Sequence, residues 1–157
     1  MIPAEEYYKN LPKKRMASGV LFFDETGKVL LVKLSYKNYW SIPGGVIEAD
    51  ESPRLAAERE VREEINLSVG LNRLLCVDYI EDREKGENIQ FVFYGGILSQ
   101  EDILKIKLQS DELESYQFLE PGDAVPLLGV RLAKRFPACL SALKNNTVLY
   151  LENGRVI

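Results

Sequence analysis

"SPRLAAEREVREEIN", residues Ser52 to Asn66, carries the signals of one complete helix. Ser52 is a good N-cap, and Pro53 suits the first helical position, where a missing N–H costs nothing. Asn66 tolerates the left-handed conformation that ends a helix. These signals predict a helix over Pro53–Ile65. At about 100° per residue, Ala57, Val61 and Ile65 point one way, toward a core. Glu60, Glu63 and Glu64 stand at i, i+3 and i+4 on another face. Like charges so spaced destabilise a helix by roughly 0.2–0.5 kcal/mol per pair. Two readings follow. The acids form a solvated face tied to Arg59 or Arg62, or they supply oxygen ligands to a hard cation. Magnesium takes few carboxylates, several waters and phosphate oxygens.

Outward from this helix, alternating apolar runs predict strands. "ASGVLFF" (Ala17–Phe23) and "KVLLVKL" (Lys28–Leu34) are joined by "DETG" and read as a hairpin. "LNRLLCVDYI" (Leu71–Ile80) and "NIQFVFYGGIL" (Asn88–Leu98) read as two more strands, separated by the charged, mobile loop "EDREKGE". "SYQFLE" (Ser115–Glu120) reads as a short strand, and "NG" near the end turns a last hairpin. A second helix is expected over Val130–Leu143, with Leu132, Phe136, Leu140 and Leu143 as its buried stripe and a kink or break at Pro137. Strands mixed with two helices predict an α/β (α+β) domain, a sheet with a helix on each face.

The chain of 157 residues has the size of one domain, and 46% hydrophobic residues suit a packed core. The expectation is a single domain over residues 1–157. A net charge of -4 does not favour nucleic acid or a membrane surface, though a bound metal can reverse the local charge at a nucleotide site. The absence of histidine excludes a Ser-His-Asp triad, a Cys-His dyad and histidine metal ligands. Cys76 and Cys139 are far apart in apolar runs and read as reduced core thiols. "MIPAEEYYKN" is polar and acidic, unlike a signal peptide, and no apolar run approaches membrane-spanning length. A cytoplasmic protein is expected.

Upstream of the helix, Gly44 and Gly45 let the backbone bend and come close to a ligand or metal. Gly45 to Leu67, GVIEADESPRLAAEREVREEINL, resembles the Nudix box of the Nudix hydrolase superfamily. Gly45, Glu51, Arg59, Glu60, Val61, Glu63, Glu64 and Leu67 match its fixed positions at its fixed spacing. Asn66 stands where the family usually has glycine; the departure is expected to cost a little stability and no activity. "YWSIPGG" (Tyr39–Gly45) looks like the usual lead-in, and "DELESYQFLEPGDA" (Asp111–Ala124) like the acid-bearing loop and strand that often follow.

The resemblance implies a Nudix-type α/β/α sandwich with a mixed β-sheet. It also implies metal-dependent hydrolysis of a nucleoside diphosphate linked to another group, NDP-X to NMP and P-X, with Mg²⁺ or Mn²⁺. By the same resemblance Glu60 and Glu64 are the main metal ligands. Glu63 shares a metal or orients water, the Gly44 carbonyl also coordinates, and Arg59 pairs with Glu51 to steady the box. The general base is Glu63 in the box or Glu112 in the later loop, with Glu114 as a weaker candidate. The expected partners are a nucleotide-type small molecule and a second copy of the chain, with no nucleic-acid polymer and no membrane. Tyr36, Tyr39, Trp40 and Tyr79 are candidates for stacking on a base, with packing preferred for Trp40. Lys33 and Arg83 are candidates for meeting phosphate. No proline follows shortly after the box, which disfavours ADP-ribose. A Nudix-fold regulator that binds a nucleotide without cleaving it is the competing reading. Retention of all the box acids favours the enzyme.

Overall fold

The computed structural model describes residues 2–157. Strict alternation of apolar side chains gives its first two long strands a place in two cores at once. In β1 (Arg15–Asp24), Leu21 and Phe23 face one core while Val20 and Phe22 face the other. In β2 (Val29–Leu34), Val29 and Leu31 alternate in the same way with Leu30 and Val32. β3 (Trp40–Ser41), β4 (Gly44–Val46), β5 (Leu74–Ile80), β6 (Asn88–Leu98), β7 (Leu113–Leu119), β8 (Leu149–Glu152) and β9 (Arg155–Val156) complete one sheet. Its order is β3-β2-β1-β6-β5-β8-β9, with β4 also on β1 and β7 also on β2. β1 with β6 and β5 with β8 are parallel and the other pairs antiparallel, so the sheet is mixed, as expected.

α2 (Pro53–Ile65) packs Ala57, Val61 and Ile65 on one face of the sheet. α5 (Val130–Lys144) packs Phe136, Ala138, Cys139 and Ala142 on the other. The result is the expected α/β/α sandwich. α1 (Ala4–Lys9), α3 (Gln100–Leu104) and α4 (Pro121–Ala124) are short additions, each under two turns, that periodicity did not reveal. No helix among the described residues is long and apolar enough to cross a membrane.

Three expectations need correction. The hairpin at "DETG" holds only at its turn, where Phe23 pairs with Val29. Beyond it the strands part: β1 runs beside β4 and β6, and β2 beside β7 and β3. α5 runs through Pro137 without a break, because Phe136 and Ala138 on either side are held against the sheet while Pro137 itself is exposed. Its buried face is also rotated from the predicted stripe. Arg135, Phe136, Ala138, Cys139 and Ala142 are buried, whereas Leu132, Leu140 and Leu143 flank them. Cys76 of β5 and Cys139 of α5, distant in sequence, meet with their sulfurs 3.1 Å apart. Both thiols are fully buried, and the contact with Cys76, then burial, pushes the Cys139 thiol up.

Candidate active site

The ends of α2 form as the sequence indicates. The Ser52 hydroxyl accepts from the Leu55 N–H at 3.2 Å, and Ser18 Oγ donates to the Pro53 carbonyl at 2.7 Å, tying the helix start to β1. Asn66 takes the left-handed conformation at φ 61°, ψ 30°. Its side-chain amide donates to the Lys105 carbonyl at 3.3 Å, a bond glycine cannot make. The Lys107 and Gln109 N–H groups then satisfy the carbonyls of Ile65 and Glu64. Those last-turn bonds carry the loop that holds Glu112 toward the acids of α2.

The three acids of the helix meet different surroundings. Glu64 is 3% exposed and accepts from the Gly44 N–H at 2.9 Å. No cation pairs with it among the described residues. Burial pushes its carboxyl up to about 8, and the charges of Glu60, Glu112 and Glu63 add to the rise against the pull of the Gly44 amide. Glu60 is largely enclosed and is also raised, by burial first, with Arg59 opposing. Glu63 is half exposed. A side chain on Gly44 would collide with backbone, and one on Gly45 would displace the Glu60 carboxylate. A Cβ on Gly44 would meet the Ser18 carbonyl oxygen at 2.2 Å, and one on Gly45 would meet Glu60 Oε1 at 2.4 Å.

Arg59 organises the box. It donates to Glu51 through Nε at 2.8 Å and a terminal nitrogen at 3.1 Å, and to the Val46 carbonyl at 3.1 Å. Its other terminal nitrogen reaches Glu60 at 2.8 Å and Glu63 at 3.1 Å. The Arg59 bonds hold the Glu51 carboxyl below its ordinary range, and those to Glu51 first and Glu60 next keep Arg59 charged. Glu51 also accepts from the Glu48 N–H, closing the loop between β4 and α2.

Glu51, Arg59, Glu60, Glu63, Glu64, Gly44 and Glu112 are thus gathered at one place. Gly44 meets it through its N–H. Glu114 is exposed on β7. With the guanidinium of Arg59 between Glu60 and Glu63, no three acid or cysteine side chains among the described residues already form a metal-holding group. The donor set itself suits a hard divalent cation: all ligating atoms on offer are oxygen, and the most buried carboxylate lacks a counter-ion.

Beside the acids lie features the sequence did not reveal. A cavity of about 170 Å³ is lined by Gly44, Gly45, Gln90 and Arg135. A cleft of about 650 Å³ shares Gln90 and Arg135 with it and opens past Asn88, Tyr39 and Trp40. Arg135, 6% exposed, donates through Nε to Asp78 at 2.9 Å, and Asp78 also accepts from the Gly154 N–H at 3.0 Å. Lys33 and Arg83, the cations singled out from sequence, do not line the cleft. The hydroxyl of Tyr79 is bound to Glu87, and Tyr36 is 66% exposed away from it.

A family model described as NUDIX domain matches residues 13–138. Diphosphoinositol polyphosphate phosphohydrolase 2 of Rattus norvegicus is 41% identical over 73 residues, 46% of this chain and 41% of that protein. A putative 8-oxo-dGTP diphosphatase of Bacillus subtilis (strain 168) is 29% identical over 116 residues, 74% of this chain and 72% of that one. The match to the first of these relatives spans less than half its length. The MutT protein from Methanosarcina mazei Go1 has the same fold, with a TM-score of 0.71 at 22% identity, over 86% of this chain and 99% of that chain.

Proposed function

Because the chain belongs to the family of NUDIX domains, we propose that it hydrolyses a phosphoanhydride in a nucleoside diphosphate linked to another group, releasing NMP and P-X, with Mg²⁺ or Mn²⁺ as cofactor. The observation that carries this reading is Glu64. A carboxylate buried beside other acids, with only a backbone N–H for a partner, is unfavourable in folding and useful for holding a cation. Two relatives are named as a phosphohydrolase and a diphosphatase, which supports the same chemistry.

Glu60 and Glu64 would hold the ion, with Glu63 and the Gly44 backbone beside it. Bound there, a divalent cation offsets charge on the diphosphate oxygens and lowers the pKa of a water. To act as a ligand Glu64 would have to be deprotonated, so binding of the ion would release its proton. To hold an ion Glu60 and Glu63 would have to leave Arg59, whose two bonds to Glu51 would still fix the loop. Of the two candidate bases, Glu112 is favoured. It carries no ion pair among the described residues, whereas Glu63 is bound to Arg59, and an arginine partner weakens a carboxylate as a base. The charges of both candidates act on Glu60 and Glu64, so the freedom of Glu112 from an arginine is what separates them.

The test is a panel of diphosphate compounds with Mg²⁺ or Mn²⁺, assayed for released phosphate or NMP. Activity is expected to vanish in chelator. Glu60→Gln and Glu64→Gln are each expected to lose most of it, on the order of 10²-fold or more, with the fold intact. Full turnover by either variant sinks the metal assignment. Tight nucleotide binding with no hydrolysis across the panel replaces the enzyme with a regulator.

A further inference from the structure

The 650 Å³ cleft has the size of a small-molecule site. Its wall holds Arg15, Lys37, Lys85, Arg131 and Arg135 and no aspartate or glutamate, in a chain with 24 acids and 20 bases. Two of these cations are already neutralised, Arg131 by Asp82 and Arg135 by Asp78. Arg15, Lys37 and Lys85 form no ion pair among the described residues. Two acids of the loop that bears Lys85 are engaged: Asp82 by Arg131, and Glu87 by Lys14 and Tyr79.

Asn88, the register partner of Arg15 across the β1–β6 pair, lines the same cleft. It is 1% exposed. Its Oδ1 accepts from Gln90 Nε2 at 2.8 Å, which leaves Nδ2 as the donor, and Nδ2 has no partner. A buried amide donor without an acceptor is rare in a folded chain and points to something absent from the protein alone. Gln90 lines both the cleft and the cavity beside Gly44 and Gly45, so the cleft leads toward the two glycines that lie against Glu64 and Glu60. The aromatic walls are engaged. Lys37 Nζ lies 5.1 Å over the Tyr39 ring, and Trp40 packs on the core. This leaves little flat surface for a nucleobase and much positive charge.

We propose that Asn88, with Arg15, Lys37 and Lys85 around it, selects substrates whose end remote from the scissile anhydride carries a further phosphate group, Asn88 Nδ2 donating to one of its oxygens. This rests on the hydrolase reading above and names the substrate class within it. The cations offset the charge of the remote phosphate, and the fixed amide sets where it sits.

The experiment compares ADP-ribose 1″-phosphate and UDP-glucose 6-phosphate with ADP-ribose and UDP-glucose, whose sugar ends are neutral. A kcat/KM at least ~10-fold higher for the phosphorylated pair is expected. Asn88→Asp keeps the shape and the acceptor for Gln90 but puts negative charge where the donor was. It is expected to raise KM for the phosphorylated pair by roughly 10-fold or more, with kcat little changed and a smaller rise for the neutral-ended pair. Lys85→Ala, at an exposed position, is expected to act in the same direction if Asn88→Asp does not fold. Separately, calorimetric titration of inositol hexakisphosphate into the wild-type protein in chelator is expected to show binding that either variant weakens. Equal or better hydrolysis of the neutral-ended pair, or no binding of inositol hexakisphosphate, overturns the proposal. Loss of all hydrolysis with that binding intact overturns the hydrolase reading alone.

Discussion

α2 and α5 cover opposite faces of one sheet and bring opposite charge to neighbouring sites. α2 contributes Glu60, Glu63 and Glu64, and its most buried acid, Glu64, has only the Gly44 N–H for company. α5 contributes Arg131 and Arg135, and its buried cation is matched at 2.9 Å by Asp78, itself 1% exposed. A buried charge with its counter-ion locks elements together, here α5 to β5 and, through Gly154, to the β8–β9 turn. A buried acid without one is a candidate for holding a ligand. The acidic side is therefore read as the reacting site, and the basic side as the one that anchors and selects.

The largest effect expected within this contrast concerns the base on the acidic side. Glu112→Gln is expected to lower kcat by roughly 10²–10⁴-fold while nucleotide binding stays nearly intact, since a base acts in the transition state. Glu63→Gln is expected to do less, and added metal is expected to restore part of its loss. Single-substrate kinetics with a parallel binding titration separate the two. The reverse pattern moves the base into the box.

On the basic side the expected effect is on stability. Arg135→Met leaves Asp78 buried without its cation, which costs roughly 3–5 kcal/mol in urea unfolding. Adding Asp78→Leu is expected to recover only part, because the Gly154 N–H then loses its acceptor. A single variant as stable as wild type means that the pair does not hold α5 in place.

The smallest effect is a pH dependence of the metal-free protein. Glu64 holds its proton to about pH 8 in the folded chain, against an ordinary value of 4.5. Between those values the folded state binds more protons than the unfolded one, so Glu64 makes stability fall as pH rises through that window. Glu64→Gln removes this contribution and is expected to be the more stable protein at pH 8 in chelator, by on the order of 2–4 kcal/mol, and little different near pH 4. Urea unfolding at the two pH values checks it; parallel pH slopes for both proteins refute a raised Glu64.

Much of the acidic side was legible from residues alone. The pairing of Arg59 with Glu51 came from the family resemblance, whereas capping by Ser52, a left-handed end at Asn66 and an apolar face at Ala57, Val61 and Ile65 involve residues within a turn or two of one another. Such signals act through the local backbone and survive in any surroundings. The paired glycines before the helix were legible too, and at Gly44 the Ser18 carbonyl leaves no room for a side chain.

The basic side was not legible, because each of its features joins residues far apart in the chain. Arg135 finds Asp78 across 57 positions, and Cys76 finds Cys139 across 63. The parallel pairing of β1 with β6 puts Arg15 beside Asn88, and no periodicity within either strand announces it. Pro137 reads as a helix breaker by itself, yet packing of its neighbours on the sheet carries α5 through it. Local spacing by itself determined the helix of acids and its ends, because hydrogen bonds within a turn specify them. Which cations line the cleft, which amide lies unpaired beneath them and which buried charge is neutralised depended on how distant strands and α5 docked, where burial and long-range pairing outweigh local preference.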